Sequence, residues 1–382
     1  MKLRPARAWL RIVAIIAAPL AACSMYGSGP NSSPIPMDSP SPSATPAESK
    51  AADLRIKLDL LLGEHVMVIA KQATAAVNKT EEHAPYTSLL NANTNSLVDV
   101  VRAAYGNTAA NQFEQAWGIQ NGYLVDYTIG LVAHNDAKSN GAKSGLANGF
   151  VPQFAQLITD MTKVAPNQRP QTESTHVTQI LTVIDDAAAQ SYPKMYLDLR
   201  VAYAATSNVG DLLAIRAAQQ FPDKFPGDPS IKPVDVRVSL NVLLQEHAYL
   251  ATMTTDAVAA RRTSEQAGAA ASLGASADAL GKLFTDVSGA GAGIQIAQIW
   301  GARNSDLIAY ATNGDDNSRQ NLIDKFVMRF YALAPTASDR ARDQILATIK
   351  VIDDQRSKSF KQVADDDRTA AAAMRPFADR IK

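Results

Sequence analysis

Two glutamate–histidine pairs are the residues of this chain best suited to chemistry. Glu64-His65 closes the run Leu61-Leu62-Gly63-Glu64-His65, and Glu246-His247 closes Leu243-Leu244-Gln245-Glu246-His247, at an offset of 182 in the numbering. An imidazole can ligate a metal or move a proton near neutral pH. His65 falls on the stripe Leu58, Leu61, Leu62, His65, Ile69, and His247 on Leu240, Leu243, Leu244, His247, Leu250. Apolar recurrence at three and four is one face of a helix, so both histidines are expected to point inward. Neighbouring helix residues stand ~100° apart, which sets Glu64 and Glu246 beside that stripe. One reading is a ligand or proton-transfer histidine with partners from facing helices. The other is a buried histidine hydrogen-bonded across the core, with Tyr127 or Tyr310 as its partner.

A second helical stripe follows each pair. It runs Phe113, Trp117, Gln120, Leu124, Tyr127 in the first half and Ile296, Trp300, Arg303, Leu307, Tyr310 in the second. The aromatic residues could line a pocket, although large side chains at this spacing are commonly core. The Leu-Leu-x-Glu-His helix followed by a Trp…Tyr helix resembles an uncharacterised group of exported bacterial helical-bundle proteins. That resemblance implies a further histidine three residues after the tryptophan, where this chain has Gln120 and Arg303. Arginine repels a metal cation, so the second half is a poor metal site. His65 is the metal candidate, with Gln120 beside it.

Other chemistry-bearing residues are weaker. His83, His134 and His176 have no histidine counterpart in the second half, and none shows a helical metal-ligand spacing. His65-x-Met67 suggests copper only superficially, because those side chains diverge on a helix. Asp185-Asp186 and Asp353-Asp354 read as solvated helix faces, and Asp365-Asp366-Asp367 and Asn313-Gly314-Asp315-Asp316 lack the calcium-loop pattern. Ser191-Tyr192-Pro193-Lys194 fits Ser-x-x-Lys without its companion motifs. The nucleophile elbow, phosphate loop, dinucleotide fingerprint and His-Glu-x-x-His are missing, so no enzyme is expected.

These residues need helices to position them, and the sequence writes those helices twice. Trp117 and Trp300, Tyr127 and Tyr310, and Leu97 and Leu280 all pair at an offset of 183. Phe150-Val151 and Phe154 match Phe326-Val327 and Phe330 at 176, and Val183-Ile184-Asp185-Asp186 matches Val351-Ile352-Asp353-Asp354 at 168. Order is kept throughout, so the chain reads as a tandem duplication. Abundant alanine and scarce strand signals predict an all-α protein of two tandem related bundles, with four to six helices each. Residues 51–221 form the first repeat, the breaker-rich stretch 222–233 the linker, and residues 234–382 the second repeat.

The N-terminus supplies an address. Lys2, Arg4, Arg7 and Arg11 precede an apolar run from Ile12 to Ala22, with no acid before Asp38. That run is shorter than the ~20 residues a membrane span needs. Leu20-Ala21-Ala22-Cys23 resembles the lipobox of bacterial lipoproteins, which implies cleavage of residues 1–22 and lipid on Cys23. Cys23 is the one cysteine in the chain, so no intrachain disulfide can form. Residues 23–50 are rich in Ser, Pro and Gly and read as a disordered tether. Ser24, where an Asp would resemble an inner-membrane retention signal, favours the outer membrane if the source is Gram-negative.

The full chain balances 37 basic against 37 acidic residues; loss of the signal's four basic residues leaves the mature part mildly acidic. No basic face for nucleic acid is indicated. The expected function is a non-enzymatic binding or scaffold lipoprotein of the cell envelope. Its expected partners are the membrane, through the lipid anchor, and an unidentified envelope protein or small molecule. It needs no cofactor on this reading; the alternative is a bundle that binds a transition metal or cofactor through the inward Glu-His pairs.

Overall fold

Long stretches rich in alanine and free of internal proline form long helices here, and the breakers fall between them. The computed structural model describes residues 46–169 and 172–379. Before the linker it places α1 (Lys50–Asn78), α2 (His83–Tyr105), α3 (Asn107–Val132), α4 (Asp136–Gly145), α5 (Val151–Thr162), α6 (Thr172–Ala188) and α7 (Tyr192–Gln220). After it come α8 (Lys232–Ala259), α9 (Thr263–Ser288), α10 (Ala290–Asn313), α11 (Asp316–Leu333), α12 (Ser338–Ser357), α13 (Phe360–Ala372) and α14 (Met374–Ala378). The fold is all-α, with no strand among the described residues. A π-turn, Leu146–Phe150, joins α4 to α5, and Ala373 separates α13 from α14. If each of these joined pairs is counted as one rod, six rods precede the linker and six follow it among the described residues.

Helix ends recur at matched places. Gly106 (φ 90°) and Gly289 (φ 94°), at the offset of 183, each close a helix in a conformation that favours glycine. Lys79 and Arg261, and Gln190 and Lys358, also hold positive φ at matched turns, at 55°, 57°, 54° and 58°. Side-chain caps add to this: Ser49 Oγ accepts from Ala52 N–H at 3.2 Å, and Asp315 Oδ1 from Ser318 N–H at 2.8 Å.

The central helices are α1 and α8. Helices α2, α3, α6, α7 and α8 pack around α1, while α9, α10, α12, α13 and α14 pack with it around α8. Every residue from Leu62 to Ala75 on α1, and from Leu244 to Thr255 on α8, is therefore buried. The five-residue stripes read from the sequence are only part of the buried surface. Encirclement also explains why α1 is long and apolar enough to cross a membrane, since most of its apolar window is buried in this fold. One continuous hydrophobic core draws on both halves, with a smaller cluster at Ala52, Ile56, Val234 and Val238.

The linker is held rather than free. Arg55 donates from Nη1 to Pro229 O at 2.8 Å, and its guanidinium pairs with Asp211 and with Asp235. Order also begins before the position expected: Pro46–Glu48 form a turn, and Arg237 Nη1 donates to Ala47 O at 3.0 Å. The expected signal at 1–22, Cys23 and the expected tether up to residue 45 lie outside the described residues.

Asp59 is buried on α1 beside Asp211, and no donor among the described residues reaches either of its carboxylate oxygens. Burial, then the nearby Asp211 charge, hold its carboxyl well above the ordinary value of 3.8, and Arg55 only partly offsets them. The unfolded chain ionises first, so stability present below pH 3.8 is lost as pH rises toward the folded value. Asn241 stands at the matching place in the second half, at the offset of 182. Asp59→Asn is accordingly expected to stabilise the protein by about 1–3 kcal/mol at pH 7 and to be neutral near pH 3. Urea unfolding at the two pH values checks this.

Candidate functional site

His65 is fully buried, as its place on the apolar face requires. Its partner is not Tyr127. Its Nε2 lies 2.8 Å from Asn121 Oδ1 on α3. Asn121 Nδ2 donates to Thr94 Oγ1 at 2.9 Å, and that hydroxyl donates onward to Leu90 O at 2.9 Å. This chain orients the amide, so Nε2 carries the proton and donates, which leaves a lone pair on Nδ1. His65 Nδ1 has no hydrogen-bond partner. Burial lowers the His65 pKa to about 4, against the smaller opposing effect of Asn121.

His176, on α6, completes this region. Its ring lies 5.7 Å from that of His65 and 5.8 Å from Trp117, whose indole is 4.7 Å from His65. Its Nε2 has no partner, and burial, with the neighbouring His65, lowers its pKa to about 3. Gln120 lies on the face of α3 that carries Trp117 and Asn121; it is fully buried, and neither amide atom has a partner. Phe113, Phe150 and Phe154 pack against Trp117 and shield the group. Groups so sealed, with pKa values so low, are poor candidates for exchanging protons with a substrate.

The second half repeats the frame with different polar contents. His247 Nε2 lies 3.0 Å from Asn304 Oδ1 and its ring 4.6 Å from Trp300, with Phe326, Phe330 and Phe377 around the indole. Arg303 stands in the place of Gln120, with its guanidinium 5.2 Å from both the Trp300 and Phe326 rings. Its Nη2 donates to Gln344 Oε1 at 3.0 Å and to Thr348 Oγ1 at 3.3 Å. Burial lowers the Arg303 pKa to about 9, and the arginine charge adds to burial in depressing His247. Gln344 follows His176 at an offset of 168, the same spacing as Val183 and Val351.

The glutamates do not serve the histidines. Glu64 receives Arg368 Nε at 2.8 Å, Asn93 Nδ2 at 2.9 Å and Tyr249 O–H at 3.3 Å. Burial raises its pKa, with Arg368 and these hydrogen bonds opposing. Glu246 pairs with Arg200 Nε at 2.8 Å. Arg200 and Arg368 share the offset of 168, so the first helix of each half is bridged to the last rod of the other. Reciprocity of this kind is what a self-complementary interface produces.

Around Glu64 this contact leaves a groove of about 200 Å³, lined by Lys57, Leu60, Leu61, Asn241, Gln245, Tyr249, Arg368, Met374 and Arg375. Around Glu246, Tyr203 fills the corresponding space. Its ring lies against Gly63, where a Cβ would come within 2.5 Å of it, and its hydroxyl is 2.9 Å from Val242 O and from Gln245 Oε1. The residue matching Tyr203 beside the groove is Ala371, too small to fill it. No family model, curated protein or solved structure matches the chain. The site has to be read from its own chemistry.

Tyr127 donates to Asp185 Oδ1 at 2.6 Å, and Tyr310 pairs in the same way with Asp353. The exposed first acid of each pair thus anchors a tyrosine, while the second is not on a solvated face: Asp186 is buried and pairs with Lys194 at 2.9 Å, and Asp354 is half-buried. Lys194 is shared between Asp186 and Asp198, the latter at 2.7 Å, so the Ser-x-x-Lys run has a structural use. No three His, Cys, Asp or Glu side chains gather as a metal-binding group among the described residues. Sequence reasoning missed Asn121 and Asn304, although both stand four residues after a tryptophan at the common spacing of 183. It set His176 aside by seeking another histidine, whereas its counterpart is Gln344.

Proposed function

We propose that this chain is an exported lipoprotein, held to a membrane of the cell envelope by lipid on Cys23, whose duplicated helical fold is a non-enzymatic binding module. If the source is Gram-negative, Ser24 directs it to the outer membrane. The ligand we assign to it is a small anionic molecule with a short apolar part, seated in the groove between the halves. The groove lining is the observation that carries this reading. Lys57, Arg368 and Arg375 supply three cations there against one acid, Glu64; Arg368 is bridged to Glu64 and Arg375 to Asp53 at 3.3 Å, so Lys57 is the cation left for a ligand, and Leu60, Leu61 and Met374 supply apolar surface. Concave sites of this composition bind small molecules, and the volume suits a compact one. The matched helix ends and matched hydrogen bonds support descent by tandem duplication, with Ala371 in place of a tyrosine opening one of two equivalent sites.

The test is recovery of a bound molecule. Protein released gently from its own envelope is expected to carry one anionic small molecule per chain in native mass spectrometry. Lys57→Glu, at an exposed position, is expected to reduce that occupancy at least about tenfold while leaving stability within about 0.5 kcal/mol. Unchanged occupancy in Lys57→Glu would place the ligand elsewhere.

A further inference from the structure

Around Trp117, five buried polar atoms lack partners among the described residues: His65 Nδ1, His176 Nε2, both amide atoms of Gln120, and Trp117 Nε1; around Trp300 four do, His247 Nδ1, Trp300 Nε1 and Arg303 Nε and Nη1, but two of those belong to a cation. Buried polar groups normally find partners, so this concentration calls for a cause. The two free nitrogens are the metal-binding form of imidazole, and the Asn121–Thr94 chain fixes the His65 tautomer that leaves Nδ1 bare. Two imidazoles bound to one transition ion at about 2.0–2.1 Å and at a tetrahedral or trigonal angle hold their ring centres roughly 5–6 Å apart. The His65 and His176 centres are 5.7 Å apart.

Charge selects the ion. Glu173, one turn before His176, is already neutralised by Arg169 at 2.5 Å, so among the described residues it leaves no free carboxylate beside His176 to balance a second positive charge. A dry core strongly penalises uncompensated charge. The second half carries a single positive charge at the matching place: Arg303 over two aromatic rings, bonded to the counterpart of His176. We propose that the core of the first half binds one monovalent copper ion, with His65 Nδ1 and His176 Nε2 as nitrogen donors and the Gln120 amide oxygen beside them. Imidazole suits copper, and the monovalent ion is the form that brings a single charge. In the second half Arg303 takes the role of that cation, so that half binds none. The inference does not depend on the groove ligand.

The experiment uses the full chain carrying Cys23→Ser, so that no thiol competes. The chain is titrated anaerobically with Cu(I) against bicinchoninate, with Zn(II) as a parallel arm. The expected result is one copper per chain, with X-ray absorption showing two imidazoles and no sulfur. His176→Gln and Gln120→Arg, which install residues the second half holds at the matching places, are each expected to abolish stoichiometric binding at unchanged helicity. His134→Gln, at an exposed histidine, is expected to keep it. Absence of copper uptake, sulfur scattering, preference for zinc, or copper retained in both variants would each overturn the proposal. If the variants fail to fold, the count of imidazole ligands in the Cys23→Ser chain still decides it.

Discussion

Asp367→Ala is expected to cost about 3–5 kcal/mol of folding stability, because it leaves a buried ammonium without its counter-charge. Lys71 Nζ lies 2.6 Å from Asp367 Oδ2, and both side chains are almost wholly buried. The same carboxylate accepts from Thr252 Oγ1 at 2.7 Å and from Tyr86 O–H at 3.2 Å. One acid on α13 therefore ties together α1, α2 and α8, from both sides of the linker. Its loss should lower the urea midpoint of the whole protein in a single transition, since the core is continuous across the halves. A loss below about 1 kcal/mol, or two separated transitions, would mean that the halves fold independently of this cluster.

Trp117→Ala should be comparably damaging, at about 3–5 kcal/mol, through the cavity left by a large core side chain. Trp117 is 1 % exposed and packs against His65, His176, Phe113, Phe150 and Phe154, so the rings around it cannot all collapse inward. Trp300→Ala should cost a similar amount for the same reason, with Phe326, Phe330 and Phe377 around it. Thermal unfolding of the two variants, converted to free energy at a common temperature, makes the comparison. A cost for either variant well under the lower end of that range would contradict the packing described.

The helices were legible because apolar residues recur at three and four and because Gly106, Gly289 and the run from Pro222 to Pro233 punctuate them. The inward direction of His65 and His247 followed from that periodicity alone. What periodicity does not encode is which distant helix supplies a partner. Tyr127 was a reasonable partner for His65 on the adjoining stripe, yet the shorter path runs to Asn121, and Tyr127 reaches Asp185 instead. The bridges from Arg200 and Arg368 depend on how the halves dock, a long-range outcome with no local signature beyond the matched spacing. The full burial of α1 had a signal that a stripe search overlooks: from Val66 to Ala76 it carries one charged residue, Lys71.

The binding reading rests on a groove whose cations outnumber its acids, and the most direct measurement asks whether that groove is occupied. Native mass spectrometry would compare the envelope-extracted protein with its Lys57→Glu variant, followed by identification of whatever dissociates. The account predicts a single anionic small molecule bound stoichiometrically to the parent protein and absent from the variant. The same molecule in both, or none in the parent, would contradict it.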